Sequence, residues 1–535
     1  MRALADAVVL SSGPRRAATA WGAGAVGALA MAPFDVVPAL VVTMTVAVLL
    51  LDGAAAEGRA LSRARLAAAA SIGWWLGFGY FTAGLWWLGN AFLVEADQFA
   101  WALPLGVLGL PAVLALFTAA GFAAAAALWS PGTGRIVALA AGLGGSEYLR
   151  GVLFTGFPWN AFGMAIAAIP GADQSAALFG LHGLTLIAVA IAASPAMLLV
   201  GNDRRERLLA PAAATAVLLL LAGGGALRLA FASEATVPNV RLRILQPAVP
   251  QDAKFNAAGG PAILQRYLTL SSGNGDPARP ALQGVTHLVW PESAFPFVLG
   301  REPVALGRIG AFLRPSGAVL ITGAVRESRG SAEDGERLFF NAIQVLDPSG
   351  AIVASADKVH LVPFGEYLPF ESLLTRLGLR RFVHAPGSFG AGAVRTTLPV
   401  PGLPGVMPLV CYEAIFPGEV TPAPGAVRPR LLLNVTNDAW FGDTPGPRQH
   451  FAQARLRSIE EGLPLVRSAN TGVSAVVDGY GRIKARMDVG QAGFIDADLP
   501  EPLAPTLFAH LGNSLFAWSW AAFALTAFVL LRRKA

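Results

Sequence analysis

The sequence predicts an α-helical membrane domain of eight transmembrane helices joined to a soluble α/β domain, which sits between the seventh and the eighth helix. Three observations carry this. The chain of 535 residues is 54% hydrophobic and only 14% charged, against about 25% charged in an ordinary soluble protein, and its mean hydropathy is +0.54. Apolar stretches long enough to cross a hydrocarbon core, about 20 helical residues each, recur up to residue 230 and once more near the C-terminus. Between them, from about 236 to 508, short β-rich runs bounded by Pro, Gly and Asp alternate with helical stretches.

The spans fall at about 17–33, 36–51, 67–90, 101–128, 134–150, 174–200, 208–227 and 510–531. The first two are short and parted only by the stretch around Pro33 and Asp35, so a re-entrant pair is the competing reading. The positive-inside rule decides for seven spans before the soluble segment. On that count Arg2, Arg15, Arg16, Arg59, Arg63, Arg65, Arg135, Arg204, Arg205 and Arg207 share one side with Arg532, Arg533 and Lys534, while only Arg150 and Arg228 fall opposite, beside the loop of Glu95 and Asp97. The expected organisation is a membrane domain over 1–235, an extracytoplasmic domain over 236–508, and a last helix with a basic cytoplasmic tail over 509–535. Both termini are then cytoplasmic. The first apolar run reads as an uncleaved helix rather than a signal peptide, because so many spans follow it.

In the soluble segment, strands are expected at 240–246, 286–290, 318–324, 339–346, 406–410, 431–436 and 473–478. Several are continuous apolar runs, the pattern of strands covered on both faces. The Pro- and Gly-rich stretch 417–429 reads as a surface loop.

A net charge of +6 and a pI near 9.8 do not make this a nucleic-acid partner, since the cations fall in short clusters between apolar runs. The single cysteine excludes a disulfide framework and a multi-thiolate zinc site. His360 and His384, more than twenty residues apart with no cysteine in register, read as ordinary polar residues. No metal and no other cofactor is implied.

Three stretches each read as placing a reactive group at the end of an apolar strand, although the expected strands include none directly before the second: Leu288-Val-Trp-Pro-Glu292, Asp357-Lys358-Val-His-Leu-Val-Pro-Phe-Gly-Glu366-Tyr367 and Leu409-Val-Cys411-Tyr412-Glu413. A thiol nucleophile needs a base, and a tetrahedral intermediate needs positive charge or N–H donors where its oxygen becomes anionic. A carboxylate, an ammonium and a thiol supply those roles. In this order the stretches resemble the nitrilase superfamily, and more closely its membrane-embedded apolipoprotein N-acyltransferase family. Supporting motifs are Gly77-Phe-Gly-Tyr80 with Gly84-Leu-Trp-Trp87, Gly156-Phe-Pro-Trp159, Phe340-Asn341 and Asn437-Asp-Ala-Trp-Phe441.

The resemblance implies an α-β-β-α sandwich with Glu292 as general base, Cys411 as nucleophile and Lys358 as the cation at the oxyanion. Glu366, Tyr412 and Glu413 match positions important in the family, Asn341 is a candidate to position the lysine or the oxyanion, and Phe255 and Trp440 are candidates to position substrate. Phe255 is a departure, since it follows Pro250-Gln251-Asp-Ala-Lys254 where the family has Trp. The implied partners are a membrane phospholipid as acyl donor, a diacylglyceryl-modified apolipoprotein as acceptor, and the lipid bilayer.

Each residue also has a plainer reading. A lone cysteine is usually an inert small hydrophobe, and Glu366, Glu413 and Asn341 fit structural hydrogen bonding as well as chemistry. Glu147 and Arg150 are an intramembrane charged pair whose i, i+3 spacing suits a simple ion pair. Trp74, Trp75, Tyr80, Trp86 and Trp87 read as an interfacial belt. The stretch 371–382, with leucines at 373, 374 and 377 and arginines at 376, 380 and 381, reads as an amphipathic lid on the membrane surface. A membrane-anchored hydrolase or amidase is the competing enzyme. A transporter is disfavoured because the spans carry almost no paired charges or broken-helix signals.

Overall fold

The computed structural model describes residues 2–55, 61–251, 257–273, 281–329, 337–369, 376, 389–422 and 425–533. They form two compact units. One comprises the residues up to Ala232 with Ile459–Glu461 and the segment from Pro505 onward; the other comprises Ser233–Ser458 with Gly462–Ala504.

The first unit is helical. Among the described residues six helical runs are long and apolar enough to cross a membrane: Pro38–Ala55, Ala96–Ala127, Gly134–Thr155, Ala172–Val200, Arg204–Ala230 and Ser514–Arg532. The expected eight are thus not all met. Helices do occupy the two remaining places, but Gly13–Gly27 has only 15 residues and gives way to a 3-10 turn before Pro33. Arg63–Leu85 has 23 residues, yet two arginines and four glycines dilute its hydropathy. Those glycines serve packing. A Cβ on Gly79 would come within 2.0 Å of the Trp21 carbonyl oxygen, and one on Gly24 within 1.9 Å of the Leu76 carbonyl oxygen, so these two helices touch backbone to backbone.

Glu147 and Arg150 form the expected ion pair at 2.7 Å, both buried. Arg150 also donates to the carbonyls of Phe157 and Trp159 and lies over the Phe81 ring. The pair therefore fastens the turn after its own helix. Tyr80 donates to the Asn160 carbonyl at 2.7 Å, and Trp87 packs on Trp159, so part of the aromatic group is interior packing rather than belt.

The second unit contains two sheets. The six-stranded sheet runs β11-β1-β2-β3-β4-β5, with β1 Thr236–Gln246, β2 His287–Trp290, β3 Val319–Arg329, β4 Arg337–Leu346, β5 Ile352–Asp357 and β11 Gly493–Pro500. The five-stranded sheet runs β10-β9-β8-β7-β6, with β6 Val406–Val410, β7 Leu431–Thr436, β8 Leu465–Ala469, β9 Ser474–Val477 and β10 Ile483–Met487. β1, β2 and β3 are mutually parallel, as are β6, β7 and β8; the outer pairings are antiparallel.

The period of two along each strand explains the layers. Leu242 and Ile244, Val289, Ile321, Val406, Val410, Leu431 and Leu433 meet in one cluster between the sheets. Their neighbours Leu245, Leu288, Trp290 and Leu320 pack outward on the helices Gly260–Ser271 and Pro303–Leu313. Met407, Leu409 and Leu432 pack outward on Phe451 and Ala454 of the helix Pro445–Glu461. Helix, sheet, sheet and helix follow one another, as the resemblance implied. All seven expected strands are present within a few residues. β5, β8, β10 and β11 are additional, and each carries polar or charged residues that broke the apolar pattern.

Candidate active site

Three strand ends deliver the three reactive groups. Glu292 follows β2 through Pro291, where Gly323 on β3 lies so close that a Cβ there would meet the Glu292 Cα at 2.5 Å. Lys358 follows β5, which is half-exposed at the sheet edge rather than the apolar strand expected. Cys411 follows the fully buried β6 and opens a 3-10 turn, Cys411–Ile415. Glu292 and Lys358 thus come from one sheet and Cys411 from the other.

The side chains converge. Lys358, 1% exposed, places Nζ 2.8 Å from Glu366 Oε2 and 3.9 Å from Glu292 Oε1. Asn341 Nδ2 donates to Glu292 Oε1 at 2.7 Å and to Glu366 Oε1 at 2.8 Å. Because both partners are carboxylates, which only accept, the orientation of that amide is fixed. The backbone N–H of Asn437 donates to Glu292 Oε2 at 2.8 Å, and that of Val362 to Glu366 Oε2 at 2.9 Å. The Cys411 thiol lies beside the Glu292 carboxyl, close enough for each to act on the other's proton affinity.

Among the described residues, two buried carboxylates and one ammonium set the electrostatics. Burial raises the Glu292 carboxyl above its ordinary value; Lys358 opposes the rise and Glu366 adds to it. Burial, and then Glu292, push the Cys411 thiol well up, so the resting sulfur is a thiol and not a preformed thiolate. For Lys358 burial acts downward, but the Glu366 and then the Glu292 carboxylate draw it upward and keep the ammonium charged. A raised carboxyl beside a protonated thiol is a competent acceptor for its proton, and a fixed cation beside both can stabilise an oxyanion.

Glu413 has another job. Its Oε1 accepts from the backbone N–H groups of Val359 and His360 at 2.9 and 3.0 Å and from Arg395 at 2.9 Å, and its Oε2 from the Val410 N–H at 2.7 Å. It ties the lysine loop to the end of β6 and does not face the sulfur's partners. The Tyr412 ring packs edge-on against His360 and Phe416. Trp440 is half-buried on the 3-10 turn Asp438–Phe441, which starts just after Asn437. Phe255 and nearly all of 371–382 lie outside the described residues, as does His384. Among the described residues no group of three His, Cys, Asp or Glu is placed to hold a metal ion.

Sequence reading missed Thr436, Asn437, Asp438, His450 and Arg467. Asp438 Oδ1 contacts His450 Nδ1 at 2.8 Å and accepts from Thr436 at 3.0 Å, and its Oδ2 accepts from Arg467 at 2.8 Å. Burial raises the Asp438 carboxyl, but Arg467 and His450 more than reverse this and bring it to about 2. The run 437–441 was a motif already in view. His450 and Arg467 carry no local signal, being one polar residue on a helix and one on a strand.

Two family models match the chain. The apolipoprotein N-acyltransferase N-terminal domain covers residues 23–194 and the carbon-nitrogen hydrolase domain covers 250–505. The apolipoprotein N-acyltransferase of Rhodopseudomonas palustris is 48% identical over 513 residues, 95% of this chain and 94% of that one. That of Bradyrhizobium diazoefficiens is 47% identical over 96% and 94%, and that of Allorhizobium ampelinum 45% identical over 99% and 98%. Among solved structures, an amidase from Nesterenkonia sp. aligns at 19% identity and a TM-score of 0.36, covering 54% of this chain and all of the amidase. The long relatives span both the helical and the α/β units, and on that basis the chain belongs to the apolipoprotein N-acyltransferase family and carries a carbon-nitrogen hydrolase domain.

Proposed function

We propose that this enzyme moves a fatty acyl chain from a membrane phospholipid, through a thioester on Cys411, to the α-amine of an N-terminal S-diacylglyceryl-cysteine on an apolipoprotein. The observation that carries the reading is the convergence of the Cys411 thiol, the Glu292 carboxyl beside it and a buried ammonium, Lys358, 3.9 Å from that carboxyl. Glu292 takes the thiol proton as Sγ attacks the ester carbonyl carbon. The oxygen of that carbonyl becomes anionic against Lys358 and the backbone N–H of Tyr412. Collapse breaks the ester C–O bond, and the leaving lysophospholipid oxygen takes the proton back from Glu292.

The neutral amine then attacks the thioester carbon. Glu292 accepts the amine proton, the C–S bond breaks, and the proton returns to sulfur. The amide product is more stable than either ester or thioester, so the sequence runs forward. Glu366 and Asn341 hold Lys358 and Glu292 in register, and Glu413 holds the two loops together.

Eight spans with both termini cytoplasmic would put residues 236–508 on the periplasmic face of a bacterial inner membrane, between the helices of 1–235 and 509–535. The acyl donor and the lipidated acceptor are then both held in the bilayer that holds the enzyme, which raises their local concentration. The test is to incubate the purified protein with phospholipid and a diacylglyceryl-cysteine peptide and to weigh the products. N-acylated peptide is expected, and Cys411→Ala is expected to abolish both it and the labelled acyl-enzyme. Free fatty acid with no acylated peptide would make the protein a hydrolase; label that survives Cys411→Ala would remove the nucleophile.

A further inference from the structure

Cys411 sits at φ +55, a left-handed conformation costly for any residue with a side chain and sustained only where the surroundings over-determine it. Two buried side chains hold the peptide that follows it. The Cys411 carbonyl oxygen accepts from His450 Nε2 at 3.1 Å and from Asn434 Nδ2 at 3.3 Å. A carbonyl only accepts, so a hydrogen bond to it requires the proton on Nε2, and the neutral ring then leaves Nδ1 to accept from Arg467 Nη2 at 3.1 Å. Both donors are themselves held. His450 Nδ1 lies against Asp438, Asp438 is paired with Arg467, and Arg467 donates to Asn434 Oδ1 and to the Val473 carbonyl. His450, Asp438, Asn434 and Arg467 are each 1% exposed or less.

This histidine is not the base for the thiol, since its two ring nitrogens face a carbonyl and a carboxylate. Its effect runs through the peptide. The carbonyl of Cys411 and the N–H of Tyr412 share one planar trans peptide and point in opposite directions. Fixing the oxygen fixes the N–H, and loading the oxygen with two donors polarises the amide and strengthens that N–H as a donor.

We propose that His450, held by Asp438 and Arg467, is a positioning residue for the oxyanion donor: by gripping the Cys411 carbonyl with Asn434 it aims and polarises the Tyr412 peptide N–H. The inference rests on the reading of Cys411 as the acylated nucleophile.

The test uses two reactions of the chain's one cysteine. Acylation by phospholipid builds an oxyanion; alkylation by iodoacetamide is a direct displacement at carbon and builds none. His450→Asn keeps an amide near Asp438 but cannot reach the carbonyl, whereas His450→Gln places an amide near the position of Nε2. His450→Asn is expected to slow acylation on the order of 100-fold, the loss typical of one oxyanion donor, with KM little changed and alkylation within about threefold of the parent. His450→Gln is expected to recover most of the acylation rate. Asn434→Ser, which removes the second donor to the same carbonyl, is expected to show the same split at smaller size and serves if His450→Asn does not fold. Acylation and alkylation falling in parallel, no rescue by Gln, or parental acylation in His450→Asn would each overturn the proposal. Absence of label on Cys411 in the parent protein would instead sink the reading beneath it.

Discussion

The two units each bury a charged cluster, and the clusters are built to opposite specifications. Glu147 and Arg150 balance: one carboxylate faces one guanidinium, both carboxylate oxygens are bonded, and the remaining guanidinium nitrogen is used by two backbone carbonyls. Glu292, Glu366 and Lys358 are arranged otherwise: among the described residues two carboxylates lie against one ammonium, with the Cys411 thiol beside Glu292. A buried charge with every partner in place has nothing left to exchange and acts as a fastening. A carboxyl that is buried and crowded by a second carboxylate is one whose proton affinity has been raised, which is what a base for a reluctant thiol requires. The difference between fastening and chemistry thus lies in the bookkeeping of charge rather than in burial.

The largest effect is expected from Lys358→Met. It removes the cation proposed at the oxyanion, so acyl transfer should fall by roughly a thousandfold or more. It also strands two buried carboxylates, at about 3–5 kcal/mol. That loss should shrink as the pH falls, since a protonated Glu292 needs no counter-charge. Adding Glu366→Gln should return part of the melting temperature and none of the activity. If the double variant regained activity, the lysine would be a fastening like Arg150.

Glu366→Gln alone is expected to cost about 10- to 100-fold, as is usual for a residue that orients a reacting group. Its sharper signature is in pH. On the proposed mechanism Glu292 must be ionised to accept the thiol proton, and its carboxyl is raised, so the parent enzyme should lose activity as the pH falls through a point above the ordinary carboxylate range. Glu366 contributes to that rise. Neutralising it should move the acidic limb of the kcat/KM profile to lower pH, and a limb that stays put would show that Glu292 does not sense its neighbour's charge.

The imbalance was half legible in the sequence. Glu292, Lys358 and Cys411 each sit in a short run with its own signature, and β2 and β6 are largely apolar, fully buried strands. Asn341 and Glu366 were visible for the same reason. β5 was hidden because an edge strand wets one face, and its run Ile-Val-Ala-Ser-Ala-Asp alternates too weakly to register. β8 was hidden because its Arg467 and Ser468 are fully buried polar groups, satisfied by partners from distant segments. β11 was hidden by Asp496 and Asp498, which pair with Arg243 and Arg241 across on β1. His450 was out of reach for a related cause. Its role is defined by a carbonyl 39 positions away in the chain, and a backbone acceptor leaves no trace in sequence. In the helical unit, each of the eight expected spans has a helix at its place, but only six are long and apolar enough to cross a membrane; Gly24 and Gly79 lower the hydropathy of the other two while tightening their packing.

The smallest effect on chemistry is expected where the balance is complete, and the membrane unit supplies that control. Arg150→Met alone strands Glu147 in the interior and releases the carbonyls of Phe157 and Trp159, so a loss of about 3–5 kcal/mol in stability is expected. Glu147→Leu combined with Arg150→Met removes both charges together and should recover much of that loss, since a buried pair replaced by apolar residues of similar volume is often near neutral. The folded double variant should turn over within about threefold of the parent, measured as kcat per molecule that survives a thermal challenge in detergent. A hundredfold fall in kcat with an unchanged melting temperature would mean that the balanced pair takes part in the reaction. The rule that separates the two clusters by their charge count would then have to give way to one based on what each cluster touches.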